Sequence, residues 1–426
     1  MNHSQKLLSL TAAALFGSLF VFSLLACNQD DDDDSMMMDP PITDTMMVDT
    51  MDTDTMALDT VGMISDTVRF ASFNVSMFGN EAGQVIANLS TSSNFRYKKV
   101  AEIIQRVRPD VLALMEFDYD ESGQALPLFQ QNYLNVSQNL AEAIAYEYAY
   151  AVPTNTGLLS DTDIDGNGNI SLPNDAYGFG TFEGQYGFAI LSKYPIDENE
   201  IRSFQTLLWK DMPNANLPMN GNESYYSEDA LDAFRISSKN HIDIPIQVNE
   251  NQTIHALLAH PTPPVFDGAE DRNGLRNFDE IRLWVDYLNN ESYLQDDNGG
   301  QGGLTSEAAF VVMGDLNSDP VDGDSVEGSI NQLLDHNRVN QAVANGSLIP
   351  QSLGGTEHNQ QSGDESDPAF DTSFFGLRTD YVLPSDNLNT IATGVFWPLS
   401  TDQLSYLTAG EASSDHLLVW IDLVVE

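Results

Sequence analysis

The sequence predicts an α/β sandwich rather than a regular succession of βαβ units. Three observations carry this. Strand-like apolar runs outnumber helical patterns, several of those runs are apolar at consecutive positions, as in strands buried on one or both faces, and no internal repeat is visible. In chain order, runs rich in Val, Ile and Phe place strands at 68–75, 111–115, 148–152, 188–192, 241–248, 254–259, 309–313, 380–383 and 417–425. Helical spacing falls at 97–107, 128–145, 276–288 and 329–337. Between them lie long Gly/Asn/Asp/Ser-rich stretches at 155–180, 210–229, 289–305 and 340–370, the length of loop that carries function or disorder.

Composition bounds the rest. The chain has 426 residues, 42% of them apolar, enough for a substantial core and too many for a wholly disordered chain. Its one cysteine, Cys27, excludes a disulfide-stapled scaffold. With 17 Lys+Arg against 64 Asp+Glu the net charge is −47, which excludes a basic nucleic-acid-binding surface as a global property. Contact with phosphate must then be local, through a few basic side chains or a bound cation.

Residues 1–27 begin with a short polar start holding Lys6 and continue in an apolar run from Leu7 to Ala26. The run is long enough to span a bilayer, but its end, Leu24-Leu25-Ala26-Cys27, resembles the bacterial lipobox. That implies a cleaved export signal, a diacylated Cys27, and a lipoprotein of the cell envelope on the outer membrane or cell surface. Residues 28–66 hold twelve acidic residues and no basic ones, with eight methionines from Met36 to Met63, and read as a solvated tether unable to bury a core. Residues 67–426 are the folded domain, expected to be a monomer.

Polar residues collect at the ends of the predicted strands. Asn74 closes Phe70-Ala71-Ser72-Phe73-Asn74, Glu116 ends Val111-Leu112-Ala113-Leu114-Met115-Glu116, and His260 ends Ala256-Leu257-Leu258-Ala259-His260. Asp315 and Asn317 follow Val311-Val312-Met313-Gly314, Asp380 opens Asp380-Tyr381-Val382-Leu383, and Ser414-Asp415-His416 precedes the last strand. Strand ends open to solvent, where a site can hold charge without burying it unpaired.

In this order the motifs, together with Tyr186-Gly187-Phe188-Ala189-Ile190-Leu191-Ser192, resemble the endonuclease/exonuclease/phosphatase superfamily, divalent-metal phosphoesterases of deoxyribonuclease-I-like fold. The resemblance spans 67–426. It implies a four-layer α/β/β/α sandwich of two mixed β-sheets flanked by helices, with one site across the sheet rims. It further implies Mg²⁺ or Mn²⁺ on Glu116, helped by Asn74 and Asp415. Asp315 would orient or deprotonate the attacking water and Asn317 would donate to a phosphoryl oxygen. His416, paired with Asp380, would serve as general acid/base or phosphate ligand, and His260 would stabilise phosphoryl charge or serve the leaving oxygen. Imidazolium from either histidine would add to the local positive field.

Two further features bear on binding. Arg272 and Arg276 are candidate phosphate clamps, in competition with pairing to Glu270, Asp271 and Asp279; Arg235-Ile236-Ser237-Ser238-Lys239 is a second small basic island. Asp163, Asp165, Asn167 and Asn169 match the front of an EF-hand Ca²⁺ loop, but position twelve is Asn174, so the bidentate ligand is missing unless Asp175 supplies it; the other reading is an acidic Asn/Gly turn. The function expected is hydrolysis of phosphodiesters or phosphomonoesters by in-line water attack. The alternatives are a nuclease specific for extracellular nucleic acid and a non-catalytic surface binding lipoprotein.

Overall fold

Alternation along the strand Asp66–Met77 (β1) sets the layers. Val68 and Phe70 face one apolar cluster, whereas Ala71, Phe73 and Val75 face another. A computed structural model describes residues 66–358 and 365–425. The leader, Cys27 and the tether up to residue 65 lie outside the described residues.

The first sheet is ordered β12 (Asn389–Val395), β13 (Val419–Val425), β1, β2 (Val111–Phe117), β4 (Phe188–Ser192), β3 (Tyr148–Val152). The second is ordered β11 (Asp380–Pro384), β10 (Ala309–Asp315), β9 (Gln252–Ala259), β8 (His241–Asn249), β5 (Arg202–Ser203). A small hairpin, β6 (Met219–Asn220) and β7 (Glu223–Ser224), stands apart. Each sheet is mixed: β1–β2 and β9–β10 are parallel, their other pairs antiparallel.

One core lies between the sheets, where Phe70, Ala113 and Ile190 meet Ile244, Leu258 and Met313. The second lies under α1 (Gln84–Leu89), α2 (Phe95–Val107) and α3 (Ala125–Phe129), where Phe73, Leu114 and Leu191 meet Val100, Ile104 and Phe129. On the far side, α5 (Arg272–Leu288) covers the second sheet: Trp284 packs on His241, and the Tyr287 hydroxyl donates to Asp243 at 2.5 Å. The result is the expected α/β/β/α sandwich. Short helices α4 (Glu228–Ala233), α6 (Asn331–Leu334) and α7 (Gln341–Ala344) lie in the connections.

The expected helix at 128–145 is replaced by α3, a π-helical turn over Gln130–Leu134 and irregular chain beyond. The Gln105 amide takes up the carbonyls of Leu134 and Val136, and Gln138 that of Tyr133, so side chains satisfy groups that a helical ladder would have used. Asn139 and Leu140, with φ of 42° and 67°, then turn the chain away. The helix expected at 329–337 shrinks to α6. By contrast, α2 begins where its cap dictates: the Asn94 side chain accepts the amides of Arg96 and Tyr97.

Candidate active site

Strand registers bring the predicted polar residues together at one end of the two sheets. Asp315, last residue of β10, lies opposite Asp380, first of β11. Asn74 shares the inward face of β1 with Phe70 and Ser72, and its Nδ2 donates across the gap to Asp315 Oδ2 at 3.0 Å. Its Oδ1 accepts the Ser76 amide at 3.1 Å.

Glu116 arrives differently. Alternation would place it beside Leu112 and Leu114 on the helix-covered face. A left-handed φ of 54° breaks that alternation, at the level where the β1–β2 register shifts between Asn74 and Met77. Its carboxyl is pushed up to about 7, first by burial and then by Asp315 and Asp415, against the pull of His416 and Lys239.

The histidines divide the labour. His416 Nδ1 lies 2.8 Å from Asp380 Oδ2, which also accepts from Thr372 Oγ1 at 2.9 Å, and His416 Nε2 faces Asp315 Oδ2 at 3.6 Å. Burial opposes charge on this ring, but Asp380, Asp315 and Asp415 hold its pKa well above the ordinary value, so the proton resides there. His260 Nε2 is 3.4 Å from the same Asp315 oxygen, and burial and Lys239 lower its pKa to about 4. His260 is therefore neutral, and of the two candidate imidazoliums only His416 carries charge. Burial alone would raise Asp315, yet His416, His260 and Asn74 hold its pKa far below the usual carboxylate range. A carboxylate so acidic is a weak base and can orient a water better than deprotonate it.

Asn317, with φ of 52°, donates its amide N–H to Asp315 Oδ1 at 3.0 Å and its Nδ2 to Pro261 O at 3.1 Å. Asp415 Oδ1 accepts from Ser76 Oγ at 2.6 Å, and Ser414 Oγ donates to Asn74 O at 2.7 Å, tying the last motif to β1. Among the described residues, ligand atoms of Asp315, Asp380 and His416 fall within 4.8 Å of one another. Buried Asp380 Oδ1 and His260 Nδ1 have no hydrogen-bond partner. Four carboxylates facing so little positive charge, with polar atoms left unmatched, fit a divalent cation.

Both candidate arginines are already engaged by the protein. Arg276 is buried, spending its N–H groups on the carbonyls of Ile236 at 2.9 Å and of Tyr177 and Arg235, both at 2.8 Å, so it is a strut rather than a clamp. Arg272 pairs with Glu270 and donates to Phe266 O at 3.3 Å, the competing arrangement. In the 163–175 loop, oxygens of Asp163, Asp165 and Asp175 lie within 4.8 Å of one another, whereas Asn167 Nδ2 turns to Asp165 Oδ2 at 2.8 Å and Asn169 Nδ2 to Asn167 Oδ1 at 3.2 Å. Asp175 is the member outside the expected four; buried, it accepts the amides of Ile164 at 2.7 Å and Ser171 at 2.8 Å.

Sequence reasoning passed over several supports. Ser76 and Thr372 hold the carboxylates of Asp415 and Asp380, and Asp118 accepts the amides of Gly79 at 2.8 Å and Tyr186 at 3.0 Å beside Glu116. Single hydroxyls in strand-end loops carry no sequence signal of their own. Asp118, two residues past Glu116, did.

A two-sheet sandwich with an acidic, histidine-bearing centre at its rim defines a class, and the sequence agrees: the chain belongs to the Endonuclease/Exonuclease/phosphatase family, which matches residues 71–416. Among solved structures it is similar to an endonuclease/exonuclease/phosphatase from Beutenbergia cavernae DSM 12333, at 14% identity, with 84% of this chain and 72% of that one covered and a TM-score of 0.48. It is also similar to a family protein from Leptotrichia buccalis C-1013-b, at 13% identity, covering 84% and 99%, with a TM-score of 0.45. The human Nocturnin catalytic domain follows at 15%, covering 84% and 94%, with a TM-score of 0.41. No curated protein matches the chain.

Proposed function

We propose that this protein is an exported, lipid-anchored phosphoesterase that uses Mg²⁺ or Mn²⁺ to hydrolyse phosphodiester or phosphomonoester bonds. The observation that carries the reading is the convergence of Asp315, Asp380 and His416 with Asn74 and His260 at one rim. Glu116, Asp415 and Asn74 would hold the cation, which would supply Lewis-acid stabilisation of phosphoryl charge. Asp315 orients the attacking water. His416 holds a proton at Nε2 for the leaving oxygen, and Asp380 fixes the ring through Nδ1. Asn317 donates to a phosphoryl oxygen. His260, neutral, keeps Nδ1 as an acceptor.

Incubating the full chain with Mg²⁺ and a panel of nucleic acid, bis-p-nitrophenyl phosphate, phytate and phospholipid tests this. Metal-dependent release from at least one is expected, and the preferred member separates a nuclease from other esterases. Release from none, with or without metal, favours the non-catalytic binding lipoprotein. Anchoring rests on the Leu24–Cys27 motif, and Cys27→Ser should leave the protein unlipidated. Among the described residues no helix is long and apolar enough to cross a membrane. In the same reading the 163–175 loop takes a structural Ca²⁺ with Asp175 replacing the missing ligand.

A further inference from the structure

β8 and β9 end their pairing with His241 opposite Ala259. Carried on, that register sets Lys239 opposite Pro261 and Ser238 opposite Thr262. Glu280 of α5 wedges between the two chains there: its Oε1 accepts the Ser238 amide and its Oε2 the Thr262 amide, each at 2.6 Å. The fork so pinned holds Lys239 against the rim that carries His260.

Lys239 is only 7% exposed, yet its ammonium makes one long hydrogen bond, to Pro261 O at 3.4 Å. Among the described residues no carboxylate comes within ion-pair distance of it. Asn317 Nδ2 donates to the same Pro261 oxygen, so two donors meet over one acceptor. Burial lowers its pKa, and the fields of Glu280, Glu116 and Asp315 oppose that fall. A buried ammonium with N–H groups left over is costly until an anion completes it.

We propose that Lys239 binds the phosphoryl oxygens of the substrate beside Asn317, both donors exchanging Pro261 O for the anion as the ester enters. This rests on the phosphoesterase reading and adds to it the basic side chain that the arginines do not supply.

The test compares the full chain with Lys239→Met, Lys239→Gln and Lys239→Arg in Mg²⁺, with bis-p-nitrophenyl phosphate as substrate and inorganic phosphate as competing ligand. In the Met and Gln variants KM for the ester and the inhibition constant for phosphate should both rise about tenfold or more, the loss of one charge-assisted hydrogen bond. Tm should stay or rise, because the cost of a buried charge is gone. Lys239→Arg should recover much of both constants. A lysine that only props the loop gives the opposite pattern, lower Tm and turnover with both constants unmoved, and that overturns the proposal. If the Met variant does not fold, the Gln variant decides by the same two constants. An active wild type with unmoved constants in the variants defeats Lys239 alone, whereas a wild type that hydrolyses no ester removes the phosphoesterase reading as well.

Discussion

Glu116 reaches the site because its φ of 54° overrides the alternation of β2, and the same placement gives it an unusual acidity. With its folded pKa raised to about 7, it binds a proton more readily folded than unfolded. The stability this lends is complete below its ordinary value and is lost as pH rises through about 7. In chelator, then, wild type should lose stability relative to Glu116→Gln between about pH 4.5 and 7, and Mg²⁺ should close the gap. Parallel melts over that range that do not diverge would remove the cation-seeking role of Glu116. Hydrolysis by Glu116→Gln should fall at least about 100-fold with the fold intact, as read by circular dichroism. At His416 the raised pKa keeps a proton available, and His416→Ala should lower turnover by about 100-fold; unchanged turnover would take it out of the mechanism. Every one of these side chains was named from strand-end position and order in the chain. What order could not say was which histidine is charged, since that depends on Lys239 against one ring and Asp380 against the other.

Among the elements, the strands were legible because their signal is local. β3 and β4 fall at 148–152 and 188–192, as their apolar runs predict. β12, Asn-Thr-Ile-Ala-Thr-Gly-Val, was not: it is an edge strand with half its residues polar, and pairing with β13 rather than its own pattern makes it a strand. The false helix at 128–145 fails for a similar reason, because Gln105, far away in sequence, takes its carbonyls. The arginines show the limit of composition: a basic residue near a phosphate site can be a brace. Arg276 ties α5 to the chain at 235–236, and Arg276→Ala should cost about 2–4 kcal/mol in urea denaturation by stranding buried carbonyls. Arg272→Ala should leave KM near wild type, because Glu270 already occupies that guanidinium. A tenfold rise in KM there would restore the clamp. The 163–175 loop, if it seats calcium, should raise Tm by several degrees in millimolar Ca²⁺, and Asp165→Asn should abolish the rise; calorimetry showing the same melt with and without calcium would defeat it.

For the molecule as a whole, the net charge of −47 acts on everything the site is to bind. Around a rim with so few cations, the long-range field repels polyanions while a small ester feels little of it. Salt screens that field, the Debye length shrinking from about 30 Å at 0.01 M to about 8 Å at 0.15 M. An acidic protein acting on a polyanion should therefore behave opposite to a basic nuclease, whose binding weakens steeply with salt. If duplex DNA is cleaved at all, its kcat/KM should rise between those two ionic strengths, while that for bis-p-nitrophenyl phosphate stays nearly flat. The local charge of His416, and of any cation held beside it, is short-ranged and buried, so it survives the same screening and would keep the chemical step constant. Initial rates on both substrates across a salt series at fixed Mg²⁺ make the comparison. Duplex cleavage that falls with added salt would mean a basic track that the described residues do not present, and would turn the reading toward a nuclease.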